Sequence, residues 1–226
     1  MAKGRNAAKR AGGWYGAIVP VLFMVLAASA AFSQMQGKEK TVIDQWKAVR
    51  APAPPELKPV TLSPDDTAFL VLDIQQSTCN REQRPRCVDS VPRIRAFLQQ
   101  ARAMKVTVAH SLTRTGRVAD ILPGAEPAKG EPVVKSSVDK FYKTGLEKFL
   151  RGKGIKTVIV SGTAANGAVL HTATGAAMRG FNVVVPVDLM SADLYAEQYT
   201  AWHLVNAPGT RRQTTLTRTD LIEWKK

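Results

Sequence analysis

The chain has 226 residues, which suits one compact domain plus a short appendage. Hydrophobic residues make up 45% of it, as expected for a globular protein that buries a core. The net charge of +14 is strongly basic, but no basic stretch is interleaved with aromatic residues and no nucleic-acid motif is present, so we expect no nucleic-acid partner. A solvated basic surface is the default interpretation, and attraction of anionic substrates or surfaces is the alternative.

Residues 1–33 have the three-part layout of a secretory signal peptide. Four basic residues precede an uncharged apolar run over residues 17–31, and small residues follow. The run is shorter than the roughly 20 apolar residues of a spanning helix, so we expect cleavage after Ala30 or Ser33 and no stable membrane anchor. The mature protein is therefore expected in the periplasm or outside the cell.

The chain has two cysteines, Cys79 and Cys87. Because an exported protein meets an oxidising compartment, a disulfide that closes this short loop is the favoured interpretation, with free thiols as the alternative. Metal ligation is weakly supported, since no histidine lies nearby in sequence and the spacing is not CxxC. The three histidines fall on three different predicted elements, so we expect no metal and no cofactor. His171 has a structural role or, alternatively, lines a pocket.

Strand-like and helix-like patterns alternate after a Pro-rich linker over residues 34–66. The run 67–74 is almost continuously apolar, as in a strand that is covered on both faces. Further strands are predicted at 106–112, 157–161, 181–187 and 213–217, with helices at 89–104, 144–151, 166–178 and 195–206 and a Gly/Pro-rich loop at 116–132. This alternation predicts an α/β domain over residues 67–226, with a mostly parallel sheet between two helical layers.

Three separated segments carry polar residues where the strands of such a sheet end. Asp73 and Gln75 follow the first strand, Lys135 precedes Phe141 by six residues, and the segment 158–173 runs from a strand through Gly162 into a helix. Because sites in these sheets lie at the carboxyl ends of the strands, the segments are expected to meet. An aspartate beside a lysine forms an ion pair and can serve as a general acid or base. Taken singly, such an aspartate is more often a cap or turn residue and such a lysine is more often solvated.

Together, in this order and spacing, the three segments resemble the isochorismatase-like (cysteine hydrolase) superfamily over residues 65–210. The resemblance implies that fold and an acid–base pair of Asp73 with Lys135. It also implies a substrate or oxyanion site at Gln75, Thr163, Ala164 and Phe141, with the peptide between Thr163 and Ala164 in the cis form. Many members have a nucleophilic cysteine where this chain has Ala168.

Alanine closes the thioester route, because it carries no nucleophile. We therefore expect an exported hydrolase-like protein that acts on a small molecule by acid–base chemistry of Asp73 and Lys135. The alternative is a catalytically inactive protein that binds a small molecule in the cell envelope. Homo-oligomer formation also stays open: the segment 195–202 offers apolar surface for it, and a buried helix has the same pattern.

Overall fold

A computed structural model describes residues 40–225, so the predicted signal peptide lies outside the described residues. The chain divides into two units, Met1–Pro52 and Ala53–Lys226. The described part of the first unit, residues 40–52, contains one 3₁₀ turn, Trp46–Ala48, and its side chains are exposed. Within residues 40–225, no helix is both long enough and apolar enough to cross a membrane.

The second unit is built on a seven-stranded sheet whose paired strands all run parallel. After a first short strand outside this sheet, its strands in chain order are β2 (Thr67–Leu72), β3 (Thr107–Leu112), β4 (Val133–Lys135), β5 (Thr157–Thr163), β6 (Asn182–Pro186), β7 (Met190–Ser191) and β8 (Thr214–Thr217). Their spatial order is β4-β3-β2-β5-β6-β8, and the short strand β7 pairs with the end of β5. Strands β2 and β5 are buried along their whole length, which explains the apolar runs at residues 68–72 and 158–160.

Four helices cover the sheet: α1 (Pro85–Ala103), α2 (Leu146–Gly152), α3 (Leu170–Met178) and α4 (Leu194–Asn206). Alternate residues of β2 point to opposite faces. Phe69 packs into one apolar cluster with α1, whereas Leu70 packs into a second cluster with α2, α3 and α4. The predicted three-layer α/β architecture with a mostly parallel sheet is confirmed.

The predicted linker is too long at its C-terminal end. Residues Val60–Leu62 form strand β1, which pairs in parallel with β9 (Ile222–Trp224) as a separate two-stranded sheet. The compact unit therefore begins near Ala53 and not at residue 67. The sequence conceals β1 because only three residues form it, prolines flank it, and its partner lies at the far end of the chain.

Candidate active site

A cavity of about 400 Å³ lies at the carboxyl end of the parallel sheet. The segments that follow β2, β3, β4 and β5 contribute its walls, in agreement with the rule that ligands bind where parallel strands end. Asp73 comes from the first of these segments, and Thr163, Ala164 and Ala168 come from the last. The cavity thus brings together parts of all three sequence segments that predicted a site, and the second contributes Ser136, Ser137 and Val138.

Asp73 is the first residue after β2, and its side chain is buried. Its backbone has a φ of +55°, a left-handed conformation that Asp and Asn adopt more readily than most residues. The backbone carbonyl of Asp73 accepts a hydrogen bond of 2.5 Å from the Thr78 hydroxyl, and Oδ1 accepts one of 2.7 Å from the Ser111 hydroxyl on β3. The backbone of Asp73 and one oxygen of its carboxyl group are therefore fixed by separate hydrogen bonds, and the residue lines the cavity.

Lys140 is the cation that pairs with Asp73. Its side chain is fully buried, and Nζ lies 2.7 Å from Asp73 Oδ2. The ammonium group also donates to the carbonyl oxygens of Ser137, at 2.6 Å, and Ser136, at 3.4 Å. Three acceptors match the three N–H donors of a lysine, as a buried charge requires.

Burial raises the pKa of Asp73 above its usual range. The charge of Lys140 and its hydrogen bond, the Ser111 hydroxyl and the charge of Arg84 all act in the opposite direction without cancelling the rise. The carboxyl group of Asp73 therefore keeps its proton to a higher pH than an exposed aspartate. A raised pKa favours the protonated form, which is the form that a general acid requires.

The lysine predicted from sequence is not the one that pairs. Lys135 ends the edge strand β4, and its side chain is exposed to solvent. Five residues later, the turn after β4 directs Lys140 into the interior, where the Lys140 backbone N–H donates to the Thr172 hydroxyl at 3.2 Å. The prediction of an Asp73–Lys135 pair is therefore corrected to Asp73–Lys140.

The turn after β5 places Ala168 against the cavity. Gly162 has a φ of +118°, and a Cβ atom there would lie 2.1 Å from the Leu72 carbonyl oxygen, so only glycine allows β5 and β2 to approach at this point. The Thr163–Ala164 peptide is cis, as the resemblance implied. The Thr163 hydroxyl donates to the Ser191 carbonyl at 2.9 Å, and Ala165–Val169 form a turn of π-helix that leads into α3.

Two residues that the resemblance assigned to substrate binding do not line the cavity. The Gln75 side chain is buried, and it bonds to the Thr113 backbone N–H at 3.0 Å and to the Thr113 and Ser77 hydroxyls. Gln75 therefore fastens the loop after β3. Phe141 is a core residue that stacks on Phe181 at 5.9 Å between ring centroids. Both predictions of contact with the cavity are wrong, because the Gln75 side chain is engaged in hydrogen bonds to Ser77 and Thr113 and the Phe141 side chain is packed in the core.

The predicted disulfide is present: Cys79 and Cys87 are bonded, with 5.3 Å between their Cα atoms. The loop that it closes carries Arg84, whose side chain reaches the cavity, a residue that the sequence did not single out. His171 is exposed and does not line the cavity. In the described part of the chain, no three His, Cys, Asp or Glu residues cluster as metal ligands would.

A second carboxylate, partly buried, lies at the other face of β3. Glu131 accepts two hydrogen bonds from Arg102, of 2.8 and 2.7 Å, one of 2.9 Å shared with His110 Nε2, and one of 2.8 Å from the Ala128 backbone N–H. Burial acts to raise the pKa of Glu131, but these hydrogen bonds and the charge of Arg102 together hold it well below its usual range. Glu131 is therefore a permanent anion that anchors the loop before β4.

The comparisons with known proteins agree with this architecture. The Isochorismatase domain family matches residues 67–217. The chain is 28% identical to a "Secreted isochorismatase effector Isc1" of Verticillium dahliae over 142 residues. The aligned region covers 58% of this chain and 75% of that protein. The chain is also 43% identical to an N-carbamoylsarcosine amidase of Arthrobacter sp over 61 residues. This shorter alignment covers 26% of this chain and 23% of the amidase. A solved isochorismatase family protein of Desulfovibrio vulgaris superposes with a TM-score of 0.61 at 24% identity, over 68% of this chain and 94% of that one.

Proposed function

This chain belongs to the isochorismatase family, and on that basis we propose that it hydrolyses a small molecule by acid–base chemistry at Asp73, without a covalent nucleophile. The ion pair of 2.7 Å between Lys140 and Asp73 at the wall of the cavity is the observation that carries this proposal. Ala168, which the resemblance places at the position of the family nucleophile, offers no atom that could form a thioester.

In the proposed reaction, protonated Asp73 gives its proton to the substrate, a vinyl ether being the substrate class that the resemblance suggests. A water molecule then adds to the resulting cation, the C–O bond breaks, and a proton returns to Asp73, so the enzyme is regenerated. Lys140 positions the carboxyl group and stabilises its anion after proton transfer. Burial supports the first step, because it keeps Asp73 protonated above the pH at which a free aspartate ionises.

Export to an oxidising compartment is part of the proposal. The first 33 residues support it through their basic leader and apolar run. The disulfide between Cys79 and Cys87 also supports it, since such bonds persist in the periplasm and outside cells but are rare in the cytosol. Mass spectrometry of the exported protein tests both points: it should lack the leader, and neither cysteine should react with an alkylating reagent.

A substrate screen tests the chemistry. The purified mature protein should be incubated with vinyl ethers, amides and ureides, and Asp73→Asn should strongly reduce any turnover that is found. Asparagine is the suitable replacement, because it tolerates the left-handed backbone at this position. Unchanged turnover in the folded variant would refute the role of Asp73.

Matched lysine variants give the second test. Lys140→Met should lose turnover, whereas Lys135→Met should keep it, because Lys135 is exposed at the end of β4. Equal effects of the two substitutions would contradict the assignment of Lys140. The absence of a nucleophile at residue 168 keeps a binding function as a second candidate. A compound that raises the melting temperature but is never turned over would favour that candidate.

A further inference from the structure

The loop closed by the disulfide carries three arginines with different environments. Arg81 lies 2.5 Å from the carboxylate of Asp89, and Arg86 pairs with Glu197. Arg84, between them, turns inward and lines the cavity. Its Nη1 donates to the Thr78 carbonyl oxygen at 2.9 Å, next to the first cysteine of the loop. The middle arginine is therefore the one that this loop presents to a ligand.

The cavity carries more positive than negative charge. Its lining contains one carboxylate, Asp73, and Lys140 already balances that charge. Arg84 and Arg114 also line the cavity, and neither forms an ion pair with a carboxylate of residues 40–225. One of the five N–H donors of Arg84 has an acceptor within that range, so its guanidinium group keeps donors for a ligand.

We propose that Arg84 recognises an anionic group of the substrate, and that the Cys79–Cys87 disulfide positions it to do so. This inference rests on the proposed function, since it takes the cavity to be the substrate site. A guanidinium group binds carboxylate and phosphate oxygens through two parallel hydrogen bonds, and the disulfide holds the backbone from which that group projects. The substrate is accordingly a small organic anion.

Arg84 also connects substrate binding to the acid. Its charge lowers the pKa of Asp73, against the larger effect of burial. A bound anion would offset that charge, so the pKa of Asp73 would rise when the substrate enters. The acid would then be most fully protonated when a substrate is present. The net positive cavity thus serves both recognition and proton donation.

Equilibrium binding tests the anion site without any turnover. Calorimetric titration of the mature protein with benzoate and benzamide compares probes of similar shape that differ in charge, and phenyl phosphate distinguishes a phosphate site from a carboxylate site. Benzoate or phenyl phosphate should bind at least about tenfold more tightly than benzamide. Arg84→Gln should remove that difference, Arg84→Lys should keep part of it, and the control Arg81→Gln should leave it intact.

The disulfide variant Cys79→Ser/Cys87→Ser tests positioning. Its anion affinity should fall about tenfold while benzamide binding and the far-UV circular dichroism spectrum stay unchanged. Equal binding of benzoate, phenyl phosphate and benzamide by the wild type, no binding of either anion, or unchanged anion binding in Arg84→Gln would overturn the proposal. Since no step of the assay needs turnover, Asp73→Asn should still bind the anion. Failure of the hydrolase proposal would therefore be seen separately.

Discussion

Asp73, which is buried, and Glu131, which is partly buried, both contact strand β3, and their pKa values move in opposite directions. Asp73 bonds to the side chain of Ser111, and Glu131 bonds to the side chain of His110, the preceding residue of the strand. Successive strand residues point to opposite faces, so the two carboxylates lie on different sides of the sheet. The pKa of Asp73 is raised, whereas that of Glu131 is lowered.

The difference follows from how many donors each carboxylate has and how deeply it is buried. Glu131 has four hydrogen bonds, two of them from one arginine. Asp73 has one lysine and one hydroxyl, and burial outweighs them. A carboxylate saturated with donors stays ionised and anchors structure, whereas a buried one with fewer donors can hold a transferable proton.

The largest expected contrast concerns turnover. Asp73→Asn should reduce the turnover of any substrate by about 10²–10⁴-fold, the range that a general acid contributes. Glu131→Gln should change it little, because Glu131 does not line the cavity. Steady-state kinetics of the two purified variants measure the contrast. Equal losses of turnover in Asp73→Asn and Glu131→Gln would contradict the assignment of Asp73 as the acid and of Glu131 as a structural residue.

The next contrast concerns stability. Lys140→Met should lower the free energy of unfolding by about 3–5 kcal/mol, because it leaves a buried carboxyl group without its cation. Arg102→Met should cost less, about 2 kcal/mol, since Glu131 keeps its bonds to His110 and Ala128. Urea unfolding gives both values.

The double variant Asp73→Asn/Lys140→Met is the control for that experiment. It removes the orphaned group together with its partner, and it should regain most of the lost stability. If the double variant were as unstable as Lys140→Met alone, lost packing around the lysine chain would be the cause instead of the broken ion pair.

The sheet could be predicted from the sequence, because the hydrophobic pattern of each strand is local. Which lysine pairs with Asp73 could not be predicted in this way. Every residue of β2 is buried, and its apolar run therefore predicts a central strand. Lys135 and Lys140 stand five residues apart in the same polar segment, and neither composition nor spacing distinguishes them. The turn at residues 136–139 determines which lysine points inward. In this turn the Ser136 hydroxyl donates to the Asp139 carbonyl at 2.9 Å. The turn is a feature of the tertiary structure.

The same limit applies to Gln75, Phe141 and Arg84. A polar side chain after a strand can face a cavity or fasten a loop, and Gln75 fastens one through Thr113, in the segment that follows β3. Arg84 is one of three arginines within nine residues, and the sequence does not show which of them turns inward. Patterns of burial are thus readable from the chain, but the direction of a single polar side chain depends on contacts from distant segments.

A smaller contrast concerns the pH dependence of stability. The lowered pKa of Glu131 contributes stability that is present above the unfolded pKa of a glutamate, about 4.3, and is lost as the pH falls through the folded value. The raised pKa of Asp73 contributes stability that is full below its unfolded value and is lost as the pH rises through the folded one. Glu131→Gln should therefore flatten the acid limb of a stability profile, and Asp73→Asn should not. An acid limb that persists unchanged in Glu131→Gln would assign it to other carboxylates.

The smallest effect is a displacement of the pH–rate profile. Because the protonated form of Asp73 is the proposed acid, kcat/KM should fall as the pH rises through its pKa. The Ser111 hydroxyl lowers that pKa by its hydrogen bond to Oδ1, so Ser111→Ala should move the falling limb to higher pH. Ser161→Ala is the matched control: Ser161 is a buried strand serine that donates to the Leu70 carbonyl at 3.0 Å. A limb that shifts equally in both variants, or toward lower pH in Ser111→Ala, would assign the titration to a group other than Asp73.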